Sequence, residues 1–364
     1  MRAIHQFVPT YEPGAVGAHT AQVQRLARDM GYQSEIFAEF VVPKLRGEAR
    51  NFGDYGKRVR AHADDVLIYQ LCTGSVVADF LAEQKGRVVV NYHNVTPVSY
   101  YARWEPDLVY GLAWGRDQLR TLASKAELGI AVSSYNEREL VDAGYRRTAI
   151  APVFVALSVL DGDIDEVLAG RLRETKQGCD WLFVGRISPN KAQHDLIAAF
   201  AVYKRVHDPG ARLHLVGGSS SEAYRSALEG LTRELGLEEA VRLTGAVSPA
   251  ALAAHYRASD VFVSASEHEG FCIPLLEAMH CRIPIVAYAA AAIPETLSGG
   301  RDPAGLLIYD KSPAALASAV ERVCVDEELS TQLVRAGEER LGDFSLATTR
   351  ARFAEVLKTI VGAT

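Results

Sequence analysis

Short apolar, β-branched runs alternate with helix-length stretches from one end of the chain to the other. In the first half the runs are RAIHQFV (2–8), SEIFA (34–38), DVLIYQL (65–71), RVVVNYH (87–93) and LGIAVS (128–133). In the second half they are WLFVGR (181–186), RLHLVGG (212–218), VRLTGA (241–246), DVFVSAS (260–266), IPIVAYA (283–289) and AGLLIYD (304–310). The intervals leave room for one crossover helix each. AQVQRLARDM (21–30) is such a pattern, with Gly31 behind it as a C-terminal cap. This alternation predicts an α/β protein with two parallel sheets, one per half, each covered on both faces. A length of 364 residues also fits two domains better than one core. The acidic, glycine-bearing SVLDGDIDEVLAG (158–170) breaks the rhythm and reads as the linker between them.

Composition removes several function classes. Hydrophobic residues are 48% and charged residues 23% of the chain, the profile of a soluble globular protein. No apolar run reaches the ~20 residues a membrane span needs, and the opening MRAIHQFVPT does not read as a signal peptide. Cys72, Cys179, Cys272, Cys281 and Cys324 are odd in number and scattered, which predicts reduced thiols in a cytoplasmic protein. The ten histidines show no metal-ligand spacing, and a net charge of −6 gives no reason to expect nucleic acid. One stretch is locally basic: Lys44, Arg46, Arg50, Lys57, Arg58 and Arg60 face only Glu48 and Asp54. It reads either as a solvated loop and helix face or as a landing strip for an anionic acceptor or membrane surface.

Open parallel sheets bind ligands beyond the carboxyl ends of their strands. The candidate polar and glycine residues fall there. Gly14 and Gly17 follow the first run, His93 follows RVVVNY, Arg186 and Lys191 follow WLFVG, Gly217 and Gly218 follow LHLV, and Glu269 follows DVFVSAS. In SEHEGFCIPLLEAM (266–279), Pro274 suits the first position of a helix, and the residues before it would present backbone N–H groups at the helix's positive end. Glu277 then falls in the first turn, where a carboxylate is favoured and can accept from a vicinal diol. Arg186 and Lys191 supply two cations for a diphosphate. The plainer alternatives are incidental acids on a helix, two surface cations, and a His93 satisfied by backbone at a strand end.

GRISPNK (185–191), followed roughly eighty residues later by SEHEGFCIPLLEAM, resembles the retaining, nucleotide-sugar-dependent glycosyltransferases of family four. The resemblance covers nearly the whole chain. It implies the GT-B fold, two Rossmann-like doubly wound domains facing a cleft. Residues 1–157, with a last helix at 346–364 crossing back, would bind the acceptor; 158–174 would link; and 175–345 would bind the donor. It assigns the donor diphosphate to Arg186 and Lys191, the ribose to Glu277, and the transferred sugar to Glu269 with Gly270, Phe271 and Cys272. His93 matches the family's histidine near the donor sugar, Val247 in LTGAVSP (243–249) the contact to the base, and Gly217 a donor-side glycine. Gly14 and Gly17 in PGAVGAHT (13–20) stand for a tighter glycine pair, Cys272 stands where glycine is commoner, and so does Arg282.

The implied activity is retaining transfer of a hexose-type sugar from a nucleoside-diphosphate sugar to an acceptor hydroxyl, with no metal and no separate cofactor. The acceptor would be a glycan, a lipid-linked group or a small molecule. Alternatives on the same fold are an epimerase, a phosphorylase, or a protein that binds a nucleotide sugar without turning it over. A metal-dependent GT-A reading would rest on Asp161, Asp163 and Asp165; a dehydrogenase is disfavoured because no Gly-x-Gly-x-x-Gly follows a strand. Tyr100, Tyr101 and Trp104 would either stack on an acceptor or pack their domain.

Overall fold

Every strand pairing in the computed structural model, which describes residues 3–362, is parallel. The first compact unit takes the chain up to Ser99, then Pro106–Val155, then the chain from Phe344 onward; the second takes Tyr100–Glu105 and Ala156–Asp343. Met1, Arg2, Ala363 and Thr364, which belong to the expected first-domain stretches, lie outside the described residues.

In the first unit the strands are β1 (Ile4–Tyr11), β2 (Ile36–Val41), β3 (Arg50–Asn51), β4 (Val66–Leu71), β5 (Arg87–Tyr92), β6 (Leu128–Ala131) and β7 (Thr148–Ile150), in the sheet order β3-β2-β1-β4-β5-β6-β7. Helices α1 (Ala15–Asp29), α2 (Val76–Ala82), α3 (Pro106–Ala123) and α4 (Ser134–Asp142) connect them. Strand residues serve both faces, which explains their unbroken apolar runs. Ile4, Ile68 and Val89 pack with Val23 and Leu26 of α1, whereas Phe7, Leu67, Tyr69 and Val90 pack with Val77 of α2 and Leu119 of α3.

The second unit holds α5 (Glu166–Glu174), β8 (Asp180–Val184), α6 (Gln193–Val206), β9 (Arg212–Val216), α7 (Glu222–Glu234), β10 (Val241–Gly245), α8 (Pro249–Ala258), β11 (Val261–Ser264), α9 (Ile273–His280), β12 (Ile285–Tyr288), α10 (Ile293–Ser298), β13 (Leu306–Ile308), α11 (Pro313–Val325) and α12 (Glu327–Leu341). Its sheet runs β10-β9-β8-β11-β12-β13. One face carries the main core: Trp181, Phe183, Leu213 and Leu215 against Phe200 and Tyr203 of α6.

The last helix, α13 (Leu346–Val361), belongs to the first unit. Phe353, Leu357 and Ile360 recur at helical spacing and are fully buried in the cluster with Ile4 and Val23, worth about 1.5–3 kcal/mol each. Arg87 ties the end down, donating from Nη2 to the Ile360 carbonyl at 2.6 Å.

Three expectations change. The stretch 158–174 is not a free linker. Asp165 caps α5 by accepting from the Leu168 amide at 2.9 Å, and α5 packs on α8 within the second unit. The basic stretch 44–60 contains no α-helix; it is built of two single 3-10 turns flanking the two-residue β3, whose edge position needs backbone pairing and little side-chain pattern. Tyr100–Glu105 leaves the first-half sequence to join the second unit, where the Trp104 ring packs 5.2 Å from Tyr224 and its carbonyl accepts from Ser221 Oγ at 3.1 Å. Tyr101 and Trp104 therefore serve packing. The cysteines are free thiols, though Cys179 and Cys324, far apart in sequence, meet with sulfurs 3.1 Å apart.

Candidate functional site

Each sheet reverses its direction of winding between two strands, β1 and β4 in the first unit and β8 and β11 in the second. Loops that leave adjacent strands in opposite directions open a crevice at the carboxyl edge. In the second unit this point is where Lys191 and Glu269 meet. Lys191 ends a 3-10 turn after β8, Glu269 lies in the loop after β11, and Nζ stands 2.5 Å from Oε1. The carboxylate side chain is 9% exposed and the lysine 20%, so the pair is shielded without being sealed. Cys272 adds a third contact: burial holds its thiol well above its ordinary value, and the protonated S–H donates to Glu269.

The two loops are clamped by a residue the sequence reading passed over. Asn190 is buried; its Nδ2 donates to the His268 carbonyl at 3.0 Å, its carbonyl accepts from the Glu267 amide at 2.9 Å, and its Oδ1 accepts from Tyr101 hydroxyl at 3.1 Å and Ser188 hydroxyl at 2.9 Å. The signal was present, since an asparagine between a proline and the candidate lysine has no surface reason to be there. Its partners 78 and 89 positions away were not legible.

Other expected residues fall nearby without joining the pair. Arg186 follows β8 and is exposed; among the described residues its guanidinium enters no ion pair, while its carbonyl accepts from Gln193 Nε2 at 3.0 Å. Glu277 is half-buried on α9. The helix begins at Ile273, so Pro274 is its second residue and Glu277 lies beyond the first turn, a correction to both expectations. Its Oε2 accepts from the Tyr256 hydroxyl at 2.7 Å; burial raises its carboxyl above the usual value, with the Tyr256 bond opposing. Gly270 and Phe271 lead into α9, and the Phe271 carbonyl accepts from Thr296 Oγ1 at 2.7 Å. Val247 lines a cavity of about 740 Å³ with Leu243, His214 and His255; neither Lys191 nor Glu269 reaches it.

The unusual backbone positions have physical reasons. A Cβ on Gly217 (φ +148°) would lie 2.0 Å from the Gly185 carbonyl oxygen, so only glycine lets the β8 and β9 ends approach. Cys272 (φ 71°) and Arg282 (φ 59°) occupy left-handed conformations, which is why glycine suits both places. Gly17 is fixed by packing, its Cβ position 2.0 Å from the Glu12 carbonyl, whereas Gly14 (φ +154°) faces open space at the start of α1.

His93 belongs to the first unit, half-buried after β5, with Nε2 2.6 Å from Gln70 Oε1. Burial lowers its pKa to about 4, so the ring is neutral near pH 7. Two of the three aspartates weighed for a GT-A site are otherwise employed: Asp161 Oδ1 lies 2.8 Å from His280 Nε2, and Asp165 is the α5 cap. Among the described residues no group of three or more His, Cys, Asp or Glu is placed to hold a metal ion, and no helix is long and apolar enough to cross a membrane.

Two parallel α/β units with these strand orders define the GT-B class. Residues 170–340 match the family model "Glycosyl transferases group 1". The chain is 34% identical over 239 residues to the D-inositol 3-phosphate glycosyltransferase of Geodermatophilus obscurus, covering 63% of this chain and 51% of that one. It thus spans about half the length of that relative. A protein of the same name from Frankia alni is 26% identical with 93% of both chains covered. Among solved structures, sucrose-phosphate synthase from Thermosynechococcus elongatus superposes with a TM-score of 0.78 at 19% identity over all of both chains. Anabaena HepE in complex with UDP-glucose gives 0.75 at 20%, over 98% of this chain and 99% of that one. The chain is thus similar to the family-four glycosyltransferases, with residues 170–340 matching the group 1 family model.

Proposed function

We propose that the protein is a retaining glycosyltransferase that moves a hexose-type sugar from a nucleoside-diphosphate sugar to an acceptor hydroxyl, without a metal. The second unit would hold the donor and the first the acceptor. The observation that carries this reading is the shielded Lys191–Glu269 pair at the winding reversal of the second sheet, inside the segment matched by the family. A lone buried carboxylate or ammonium is poorly tolerated, so each holds the other in place until a ligand supplies better partners. A sugar diphosphate does so for both at once. Its phosphate oxygens take Lys191 and Arg186, and its sugar hydroxyls donate to Glu269. Glu277 accepts from the ribose diol, kept in place by Tyr256.

In the reaction the sugar–phosphate bond lengthens and negative charge grows on the departing diphosphate, where the cations and the start of α9 stabilise it more than in the ground state. The acceptor oxygen attacks the same face of the sugar, and its proton passes to the leaving phosphate oxygen. Free nucleoside diphosphate and a glycoside with retained configuration result. The names of the D-inositol 3-phosphate glycosyltransferases support a hydroxylated, anionic acceptor, for which the basic stretch 44–60 is a suitable counterpart. The protein would work in the cytoplasm, with that stretch also able to meet an anionic membrane face.

The test is turnover of a panel of UDP-, GDP- and ADP-hexoses with product analysis, in wild type and Lys191→Ala. Losing one preorganised charge contact lowers turnover roughly 10²–10³-fold. Near-normal activity in the variant defeats the assignment. Sugar inversion without acceptor identifies an epimerase, consumption of inorganic phosphate a phosphorylase, and tight binding without nucleotide release a binding protein. Activity abolished by EDTA removes the metal-free mechanism.

A further inference from the structure

Beneath His93 the first sheet carries an unusual row of polar side chains. Gln6 on β1, Gln70 on β4 and Asn91 on β5 are fully buried, and His19 of α1 is fully buried beside them. Gln70 and Asn91 are register partners on adjacent strands. The contacts form a chain: Phe154 amide to His19 Nδ1, 3.2 Å; His19 Nε2 to the Asn91 carboxamide, 2.9 Å; that same end of Asn91 to Gln70, 2.8 Å; and Gln70 to His93 Nε2, 2.6 Å. None of these groups carries a charge, so what the chain transmits is direction: who donates and who accepts.

We infer that this chain fixes the proton of His93 on Nδ1, with Asn91 and Gln70 as the positioning residues that set it. The argument starts from the one member whose role is not negotiable. A backbone N–H can only donate, so His19 Nδ1 accepts from Phe154. Burial and the nearby His93 ring hold His19 well below its ordinary value, hence neutral, and a neutral imidazole has one N–H. That hydrogen must be on Nε2. The Asn91 end 2.9 Å away must therefore be its oxygen, the reverse of the amide orientation drawn in the structure; amide nitrogen and oxygen are told apart by such networks and not by shape. Facing that oxygen, Gln70 must present its NH2, so its amide too is reversed, and the end placed as Oε1, 2.6 Å from His93 Nε2, is the NH2. Its two hydrogens serve Asn91 and His93, while its oxygen turns to Gln6, whose carboxamide lies 2.9 Å away and can donate. His93 Nε2 is thus an acceptor, and the neutral ring carries its hydrogen on Nδ1.

The consequence deepens the proposed transferase reading and rests on it. A His93 with Nδ1–H and an occupied Nε2 offers a hydrogen-bond donor to a hydroxyl or phosphate oxygen and has no lone pair left for taking a proton. It binds and orients; it is not the general base.

The experiment reads ring nitrogens directly and needs no turnover. Protein labelled with 15N-histidine is examined without ligand by long-range 1H–15N correlation, His93→Gln identifying the His93 signals. The expected pattern is a protonated Nδ1 and an unprotonated Nε2. Asn91→Asp, which still presents an acceptor to both His19 and Gln70, should preserve it. Gln70→Glu, whose ionised carboxylate can only accept at His93, should put a hydrogen on Nε2. A wild-type His93 protonated on Nε2 overturns the inference, as does an Nε2 that stays unprotonated in Gln70→Glu when the introduced carboxyl is ionised. Should Gln70→Glu not fold, the wild-type and Asn91→Asp spectra decide it. If no nucleotide sugar is ever turned over while these spectra hold, the transferase reading fails and the relay stands.

Discussion

The two units share one winding plan and solve the problem of polar function in opposite ways. In the first sheet, central strands β1, β4 and β5 carry neutral polar side chains in the interior, Gln6, Gln70 and Asn91, all fully buried. In the second, central strands β8 and β11 are apolar through Trp181, Leu182 and Val261–Val263, and the chemistry is moved out to the loops as a charged pair. A neutral amide network can be buried deeply because each group finds a partner and no ion is taken out of water. A charge pair is costlier to bury, because desolvation must be repaid by close partners, and Lys191–Glu269 keeps part of its exposure. The first arrangement passes on hydrogen-bond direction; the second supplies field.

The contrast predicts unequal damage. Lys191→Ala strips Glu269 of its cation and should cost about 3 kcal/mol of stability besides the turnover loss. Lys191→Met with Glu269→Gln should recover most of that stability in denaturant titrations yet stay inactive. If the double variant is as unstable as the single, the pair is not what the loops depend on. Asn91→Leu orphans neutral partners and should cost less, about 1–3 kcal/mol. An equal or greater loss than Lys191→Ala would erase the distinction.

Glu277 offers a smaller, pH-dependent effect. Its folded pKa is raised by burial from the ordinary 4.5, so the folded chain holds that proton more tightly than the unfolded chain. The stability this adds is present below the unfolded value and lost as pH rises through the folded one, leaving a buried-charge penalty at neutral pH. Glu277→Gln should therefore raise the melting temperature at pH 8, with the gain shrinking as pH falls through the carboxylate range, while nucleotide affinity drops. A gain independent of pH would assign it to something else. The smallest expected change is at 44–60. Arg50 pairs with Glu35 and Arg58 with Asp54, so Lys44, Arg46, Lys57 and Arg60 are the cations to neutralise. Replacing them by glutamine should raise acceptor KM and leave folding unchanged; unaltered kinetics return the stretch to ordinary surface.

The long strands and the two-sheet plan were legible because buried parallel strands write continuous apolar runs. β3 and β7 were missed for the converse reason, being short and at sheet edges where backbone pairing suffices. Lys191 and Glu269 were legible as polar residues at strand ends, but not their pairing with each other, and Asn190 was missed because its partners come from distant segments. Glu277 was misplaced by one residue because the left-handed Cys272, not Pro274, sets where α9 begins.

Tyr100–Glu105 bears on anyone wishing to cut or swap this protein. A recombinant fragment running from Ala156 to Asp343 would look like a self-contained module on a linear map, yet it would arrive without the indole that covers Tyr224 and the phenol that grips Asn190. Chimeras built at such junctions inherit a hole unless the donor of the other half brings a matching graft.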